Sequence, residues 1–111
     1  MNYFGEVTST KKLKEKLINK PISFVMFYAN WCGYCKIIQK HWNKFGKINK
    51  INNLQMICIE SKNIDTSLDI KGFPTLTIYN NGEIIDYKDG REFKDFCKYF
   101  KMCENCGKKK V

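Results

Sequence analysis

The chain has 111 residues, 43% hydrophobic and 14% aromatic, which fits one domain with an ordinary packed core. Its longest apolar run, residues 24–29, is much shorter than the roughly 20 residues that cross a bilayer, so we expect no membrane association. The first residues lack the features of a secretion signal, which predicts a soluble, cytoplasmic protein. The net charge of +9 is spread along the chain, and we expect no nucleic-acid partner.

The first half of the chain predicts two strands and two helices. A short strand over residues 3–7 precedes a helix that Thr10 caps and that Asn19-Lys20-Pro21 ends. The near-continuous apolar run Ile22–Tyr28 is typical of a central parallel strand buried on both faces. From Cys35 onward, apolar residues recur at a helical period. The predicted inward positions are Leu13, Leu17 and Ile18 on the first helix, and Ile38, Trp42, Phe45 and Ile48 on the second.

The second half predicts a hairpin and a final helix. A strand over residues 54–59 is followed by one short helical turn within residues 64–70. Strands over residues 75–79 and 83–87 flank Asn81-Gly82, a strong hairpin signal, so they should be antiparallel. The sequence therefore predicts an α/β domain over residues 1–106, with a mixed five-stranded sheet and about four helices, and a basic tail over residues 107–111. The apolar stripe of the last helix consists of Phe93, Phe96, Cys97 and Phe100.

Cys32 and Cys35 lie where the buried strand gives way to the second helix. A helix N-terminus carries unpaired N–H groups and a partial positive charge, which stabilise a thiolate over a thiol. A cysteine at such a place can have a pKa well below the usual value of about 8.5, and the thiolate is the nucleophile. Residues three apart share a helix face. We therefore expect Cys32 to be the attacking thiol and Cys35 the resolving thiol.

Four motifs extend a resemblance to a known family over about residues 5–103. On these motifs the chain resembles thioredoxin-fold proteins, most closely a catalytic domain of the protein disulfide isomerase family. The resemblance implies a thioredoxin-like fold and thiol–disulfide exchange through a mixed disulfide, with no cofactor and no metal. The motifs are Phe27-Tyr28-Ala29-Asn30-Trp31-Cys32-Gly33-Tyr34-Cys35-Lys36, Gly72-Phe73-Pro74-Thr75, Asn81-Gly82-Glu83, and Asp86-Tyr87 with Gly90-Arg91-Glu92.

The resemblance also implies which residues surround the cysteines. A cis Phe73–Pro74 bond would turn the backbone of Phe73 toward Cys32 and leave it free to bind an extended substrate. Arg91 is the only arginine in the chain, and the matching arginine of the isomerases is proposed to favour the thiolate of the resolving cysteine. A solvent-exposed residue at a helix start is the alternative interpretation of Arg91. The residues implied in substrate binding are Trp31, Gly33, Tyr34, Phe73, Pro74 and Gly90.

The chain departs from the family pattern near the resolving cysteine. Met26 stands where the family usually has a proton-transferring carboxylate, and Cys58 where a lysine often pairs with it. This joint loss is physically consistent, since one buried charge without its partner is costly. It predicts slower release of mixed disulfides than in a typical thioredoxin. His41 is too far along the helix to substitute, and we interpret it as a partly exposed helix residue.

The remaining cysteines and the direction of exchange leave alternatives open. We expect Cys58 and Cys97 to be buried, inert thiols, whereas Cys103 and Cys106 could be structural, redox-active or part of a metal site. The implied partners are protein disulfides or dithiols, and a reductase, glutathione or a thiol oxidase that recycles a monomeric enzyme. The other functions considered are a redox-modulated peptide-binding adaptor and a metal- or cluster-binding protein of the glutaredoxin type.

Overall fold

The computed structural model describes residues 3–18, 22–51 and 53–101. The predictions for Asn19-Lys20-Pro21, for Cys103 and Cys106 and for the basic tail lie outside these residues. The strands are β1 (Phe4–Val7), β2 (Ile22–Tyr28), β3 (Leu54–Glu60), β4 (Thr75–Asn80) and β5 (Glu83–Asp86). The α-helices are α1 (Thr10–Ile18), α2 (Gly33–Ile48) and α3 (Phe93–Phe100), and a single 3-10 turn covers Ser61–Asn63.

The five strands form one mixed sheet in the order β1-β3-β2-β4-β5. β1 and β2 both pair with β3 in parallel, while β4 is antiparallel to β2 and β5 to β4. Asn81 and Gly82 have φ angles of 53° and 88°, the left-handed backbone that a tight two-residue hairpin requires. The predicted thioredoxin-like fold with a mixed five-stranded sheet is confirmed.

The helix content differs slightly from the prediction. The described residues contain three α-helices, whereas about four flanking helices were predicted. The short helical turn also lies at Ser61–Asn63, before the predicted segment 64–70. It begins there because the Glu60 carboxylate accepts the N–H of Lys62 at 3.0 Å. Farther on, the Asp65 carboxylate accepts the N–H of Ser67 at 2.8 Å, a local bond that competes with helix formation.

Three details of the predicted helices are wrong. The α1 cap is Ser9, whose hydroxyl accepts the N–H of Lys12 at 3.1 Å, while Thr10 is the first helical residue and is buried. Ile18 is 77% exposed, because it lies about 100° around the helix from its predecessor Leu17. Ile48 was also predicted to face inward, but it is the last residue of α2 and is exposed.

Alternation along β2 divides the core into two layers. Phe24, Met26 and Tyr28 point to one face of the sheet, here termed the front face, against which α2 and α3 pack. Val25 and Phe27 point to the opposite face, the back face, against which α1 packs. Burial on both sides explains why β2 reads as an uninterrupted apolar run. None of the helices in the described ranges is long and apolar enough to cross a membrane.

Candidate active site

The two cysteines of the motif lie at the N-terminus of α2. Cys32 is the residue that caps the helix, and its Sγ accepts the N–H of Cys35 at 3.1 Å. The turn that leads into the helix is closed by a bond from the Cys32 N–H to the Ala29 carbonyl oxygen at 3.1 Å. No acidic side chain lies in the first helical turn. The sulfur of Cys32 therefore occupies the position where a helix favours negative charge.

Cys35 has a different environment, although it is only one turn away. It is fully buried, whereas Cys32 retains 9% of its accessible surface. Burial raises the pKa of the Cys35 thiol to about 11, and the adjacent Cys32 sulfur adds to this rise. The backbone of Ala29 and the charge of Arg91 act in the opposite direction. Cys35 therefore remains a thiol at neutral pH until its surroundings change.

The Phe73–Pro74 bond is cis, as predicted. The Phe73 carbonyl oxygen lies 3.8 Å from the Cys32 Sγ, so this loop forms one wall of the site. The Phe73 ring packs edge-on against Trp31, with ring centroids 5.9 Å apart. Phe73 thus approaches the Cys32 sulfur with its backbone and contacts Trp31 with its side chain.

Two aromatic residues near Cys32, Trp31 and Tyr34, form a rim that is exposed to solvent. Trp31 is 76% exposed and Tyr34 is 53% exposed, although both are large aromatic residues. Gly33 is the first residue of α2, and a Cβ placed there would meet open space. Exposed aromatic side chains around a reactive group are typical of a binding surface rather than of a core.

The loop that carries Arg91 is anchored on both sides of this residue. The Tyr87 hydroxyl donates to the Gly90 carbonyl oxygen at 2.6 Å. The Asp95 carboxylate accepts the N–H of Glu92 at 3.1 Å and lies where a Cβ on Gly90 would be. Gly90 therefore has a structural reason to be glycine, and Arg91 is half-buried in a restrained loop.

His41 also helps to hold this region, which the sequence did not indicate. It is half-buried, and its Nδ1 accepts the N–H of Phe93, the first residue of α3, at 3.0 Å. The bond connects α2 to the start of α3, two residues after Arg91. The signal in the sequence was only that a lone histidine lies on the flank of an amphipathic helix.

The two positions that depart from the family pattern are neighbours in the sheet. Met26 and Cys58 are partners in the β2–β3 register. Met26 is fully buried in the same cluster as Cys35. Cys58 is half-buried rather than buried as predicted, since it lies close to the edge strand β1. Burial raises the pKa of the Cys58 thiol to about 12, and the charge of Glu6 adds to this rise.

Glu60 is a second residue that the sequence analysis missed. Its side chain is buried, and its carboxylate accepts the N–H of Asn30 at 3.0 Å, two residues before Cys32. Hydrogen bonds to the backbone N–H groups of Asn30 and Lys62 lower the pKa of this carboxyl group. The available signal was an acidic residue placed directly at the end of a buried strand.

The described residues contain no group of three or more histidine, cysteine or acidic side chains that could hold a metal ion. Cys97 is 5% exposed in α3 and belongs to the front layer of the core. The site itself consists of two neighbouring sulfur atoms at a helix N-terminus, one with 9% of its residue surface exposed and one fully buried.

Comparison with known proteins agrees with this geometry. The chain matches the thioredoxin family over residues 5–102. It is 37% identical over 86 residues to a protein disulfide-isomerase of Ricinus communis, a match that covers 69% of this chain and 17% of that protein. The first thioredoxin domain of mouse protein disulfide-isomerase A4 superposes with a TM-score of 0.72 at 21% identity, covering 87% of this chain and 72% of that one. Human ERp44 superposes with a TM-score of 0.76 at 20% identity, covering 87% and 31%.

The predicted cytoplasmic location is wrong. The homologues are mainly protein disulfide isomerases of the endoplasmic reticulum, such as ER-60 of Schistosoma mansoni, and this contradicts the cytoplasmic prediction. The prediction relied on the first residues of a chain that spans only 14% of ER-60. Location depends on targeting sequences and not on the fold of one domain.

The family match and the geometry are consistent with each other. The family chemistry of the relatives is thiol–disulfide exchange, and here Cys32, with 9% of its surface exposed, lies beside a fully buried Cys35 at a helix N-terminus. The match to the family extends from β1 to the residue after the described part of the chain. The chain therefore belongs to the thioredoxin family and is a thioredoxin-fold domain of the protein disulfide isomerase type.

Proposed function

We propose that this domain, over residues 1–106, catalyses thiol–disulfide exchange with protein substrates through Cys32 and Cys35. The observation that carries the proposal is the position of the Cys32 sulfur. It accepts the first-turn N–H of Cys35 at 3.1 Å and lies 3.8 Å from the Phe73 carbonyl oxygen, beside an exposed aromatic rim. The helix N–H favours negative charge on this sulfur, and an extended substrate can lie beside the Phe73 carbonyl group.

The reaction consists of two exchanges between sulfur atoms. The Cys32 thiolate attacks one sulfur of a substrate disulfide; the substrate S–S bond breaks, and the other substrate sulfur leaves as a thiolate that takes up a proton. Cys35 then loses its proton and attacks the Cys32 sulfur, which releases the remaining substrate thiolate. Two electrons pass to the substrate and the Cys32–Cys35 disulfide remains. The same steps in reverse oxidise a substrate dithiol.

The second exchange is the slow one in this proposal. Cys35 has a pKa raised to about 11 by burial, and the neighbouring Met26 cannot accept its proton. The charge of Arg91 favours the Cys35 thiolate and partly compensates. Proton loss then takes place to solvent once the substrate opens the site. Substrate protein is held by Trp31 and Tyr34 on the rim and by the backbone beside Pro74.

The decisive test is activity in three cysteine variants, assayed by insulin reduction and by gel detection of mixed disulfides. Cys32→Ser should abolish reduction, and Cys35→Ser should accumulate a mixed disulfide through Cys32. Cys58→Ser is the matched control and should keep full activity, because its thiol lies in β3 with a pKa raised to about 12. Full activity of Cys32→Ser would refute the proposal, whereas peptide binding without exchange in all variants would indicate an adaptor.

The role of Arg91 is tested by its charge. In Arg91→Gln the Cys35 thiol loses a positive side chain that favours its ionised form, so release from the mixed disulfide should slow by about threefold. Lys94→Gln removes the same charge from α3 and is the control. Equal release rates in both variants would exclude Arg91 from the reaction.

The direction of exchange and the recycling partner follow from one equilibrium. Incubation of the domain in glutathione buffers of graded redox poise gives the fraction with the Cys32–Cys35 disulfide. A potential near that of protein disulfide isomerase, about −180 mV, would favour oxidation of substrates and recycling by a thiol oxidase. A potential near that of thioredoxin, about −270 mV, would favour reduction and recycling by glutathione or a reductase.

A further inference from the structure

Glu60 is a buried carboxylate that the proposed reaction does not use. It is the last residue of β3 and lies opposite Tyr28, the last residue of β2, in the parallel register. Only 4% of its surface is accessible. Buried carboxylates are costly unless they are paired or hydrogen-bonded, so the donors around this group indicate what it does.

Three donors surround the Glu60 carboxylate. Oε2 accepts the N–H of Asn30 at 3.0 Å and the hydroxyl of Ser61 at 3.1 Å. Oε1 accepts the N–H of Lys62 at 3.0 Å. Ser61 and Lys62 belong to the turn that directly follows β3. Asn30 belongs to a distant part of the chain, the connection between β2 and α2 that leads to Cys32.

The hydrogen bond from the Asn30 N–H lies in the turn that leads to Cys32. Asn30 and Trp31 are the two central residues of a turn that the Cys32 N–H closes onto the Ala29 carbonyl oxygen. The turn begins at Ala29, directly after the last residue of β2, and Asn30 lies two positions before Cys32 in the chain. A fixed Asn30 therefore restricts the position of Cys32 relative to the N-terminus of α2. Bonds to a carboxylate are among the stronger hydrogen bonds in proteins.

We propose that Glu60 is a positioning residue that holds Cys32 in its thiolate-stabilising place through the Asn30 N–H. The inference rests on the proposed function, because it concerns the reactivity of the same sulfur. Without this restraint, Cys32 spends less time accepting the Cys35 N–H at 3.1 Å. A thiolate with less stabilisation alkylates more slowly at neutral pH, and the disulfide form gains relative to the dithiol.

The first test compares Glu60→Ala with Asp65→Ala. Asp65 is a matched control, since its carboxylate also accepts a backbone N–H and a hydroxyl, both from Ser67, and also has a lowered pKa. We expect Glu60→Ala to slow alkylation of Cys32 by iodoacetamide at pH 7 by about fivefold. The equilibrium with glutathione should shift by a similar factor toward the disulfide, and Asp65→Ala should change neither quantity.

Glu60→Gln guards against loss of folding, because it keeps the shape of the side chain and one acceptor oxygen. It should produce a smaller shift in the same direction. The inference is wrong if Glu60→Ala has the same redox equilibrium and alkylation rate as Asp65→Ala, because Glu60 would then serve only the stability of the fold. If Glu60→Ala does not fold, the same comparison is made with Glu60→Gln. Absence of any exchange with glutathione in the unaltered domain would instead refute the proposed function.

The second test asks whether Glu60 acts through Asn30. Asn30→Pro removes the donated N–H, and proline suits the first central position of a turn. In this background Glu60→Ala should no longer alter Cys32 alkylation, since the bond that it would break is already absent. A fivefold slowing that persists in the Asn30→Pro background would contradict the route through Asn30.

Discussion

The two faces of the sheet are built differently, and the difference locates the chemistry. On the front face, α2 and α3 surround Phe24 with aromatic rings, and four ring centroids lie 4.7 to 5.4 Å from its own. On the back face, the buried core beneath α1 contains Phe27 and otherwise aliphatic side chains, and a groove of about 600 Å³ lies over β4 and β5. The densely packed face is the one that carries Cys35 and orients the helix of Cys32. The rings around Phe24 are those of Trp42, Tyr87, Phe96 and Phe100.

The largest expected effect on stability comes from removing the ring of Phe24, which lies at the centre of the front face. Phe24→Ala should lower the free energy of unfolding by about 3–5 kcal/mol, because it leaves a cavity among rings that cannot close in. Phe27→Ala is the matched control, since Phe27 is equally buried and loses the same atoms but points to the back face. Urea unfolding gives both values. Equal losses in the two variants would show that the two faces contribute alike.

The next effect concerns Met26, which stands where the family usually has a carboxylate. Met26→Glu places a carboxyl group in the cluster of Cys35 and should cost about 1–3 kcal/mol of stability, the price of burying an unpaired polar group. It should nevertheless speed release from the mixed disulfide, because the carboxylate can accept the Cys35 proton.

Met26→Gln is the control for this prediction. It has the same size and a similar polar burial cost but no basic group. Stopped-flow measurement of release should show faster release only in Met26→Glu. The same rate in both variants would mean that the missing carboxylate does not limit the reaction.

A third comparison uses pH to test two carboxylates, Glu60 at the end of β3 and Asp65 five residues later. Hydrogen bonds lower the pKa of Glu60, mainly those from the N–H groups of Asn30 and Lys62, and the bonds from Ser67 lower that of Asp65. Their stabilisation is fully present above the unfolded-state pKa, about 4 for these residue types, and is lost as the pH falls through the folded-state values.

Unfolding free energies at pH 6 and pH 3 measure this effect. Glu60→Gln and Asp65→Asn should each be less stable than the unaltered domain at pH 6 and should approach its stability at pH 3. A stability difference that does not change with pH would mean that the charged forms contribute nothing.

The smallest effect is expected at the open part of the back face. Ile84 is 69% exposed beside the groove, so Ile84→Ser should change the unfolding free energy by less than about 0.5 kcal/mol. Ile85→Ser, one residue later in β5, removes a side chain that packs against the front core and should cost clearly more. A larger cost at Ile84 would show that the groove is better packed than its exposure indicates.

The sequence predicts best those structural features that are determined by residues close together in the chain. β2 was predicted with its observed bounds, because a strand buried on both faces consists of a continuous run of apolar residues. The hairpin was predicted because Asn81 and Gly82 tolerate the backbone that the turn needs. The cap of α1 was assigned one residue late, because Ser9 and Thr10 are adjacent hydroxyl residues with similar capping ability.

Contacts between distant segments could not be predicted in the same way. The Glu60 carboxylate meets an N–H that lies 30 residues earlier, and the His41 ring meets one 52 residues later. Neither partner is a side chain, so no pair of complementary residue types appears in the sequence. The pair of active-site cysteines was predictable because a short motif and a helix start place both within one turn.

The most direct test of the account is the relative reactivity of the two cysteines in the reduced domain. A short pulse of iodoacetamide at pH 7, followed by peptide mass spectrometry, gives the labelled fraction of each. The account predicts labelling of Cys32 and at least about tenfold less labelling of Cys35, whose pKa is raised to about 11 by burial. Equal labelling of the two sulfur atoms, or faster labelling of Cys35, would contradict it.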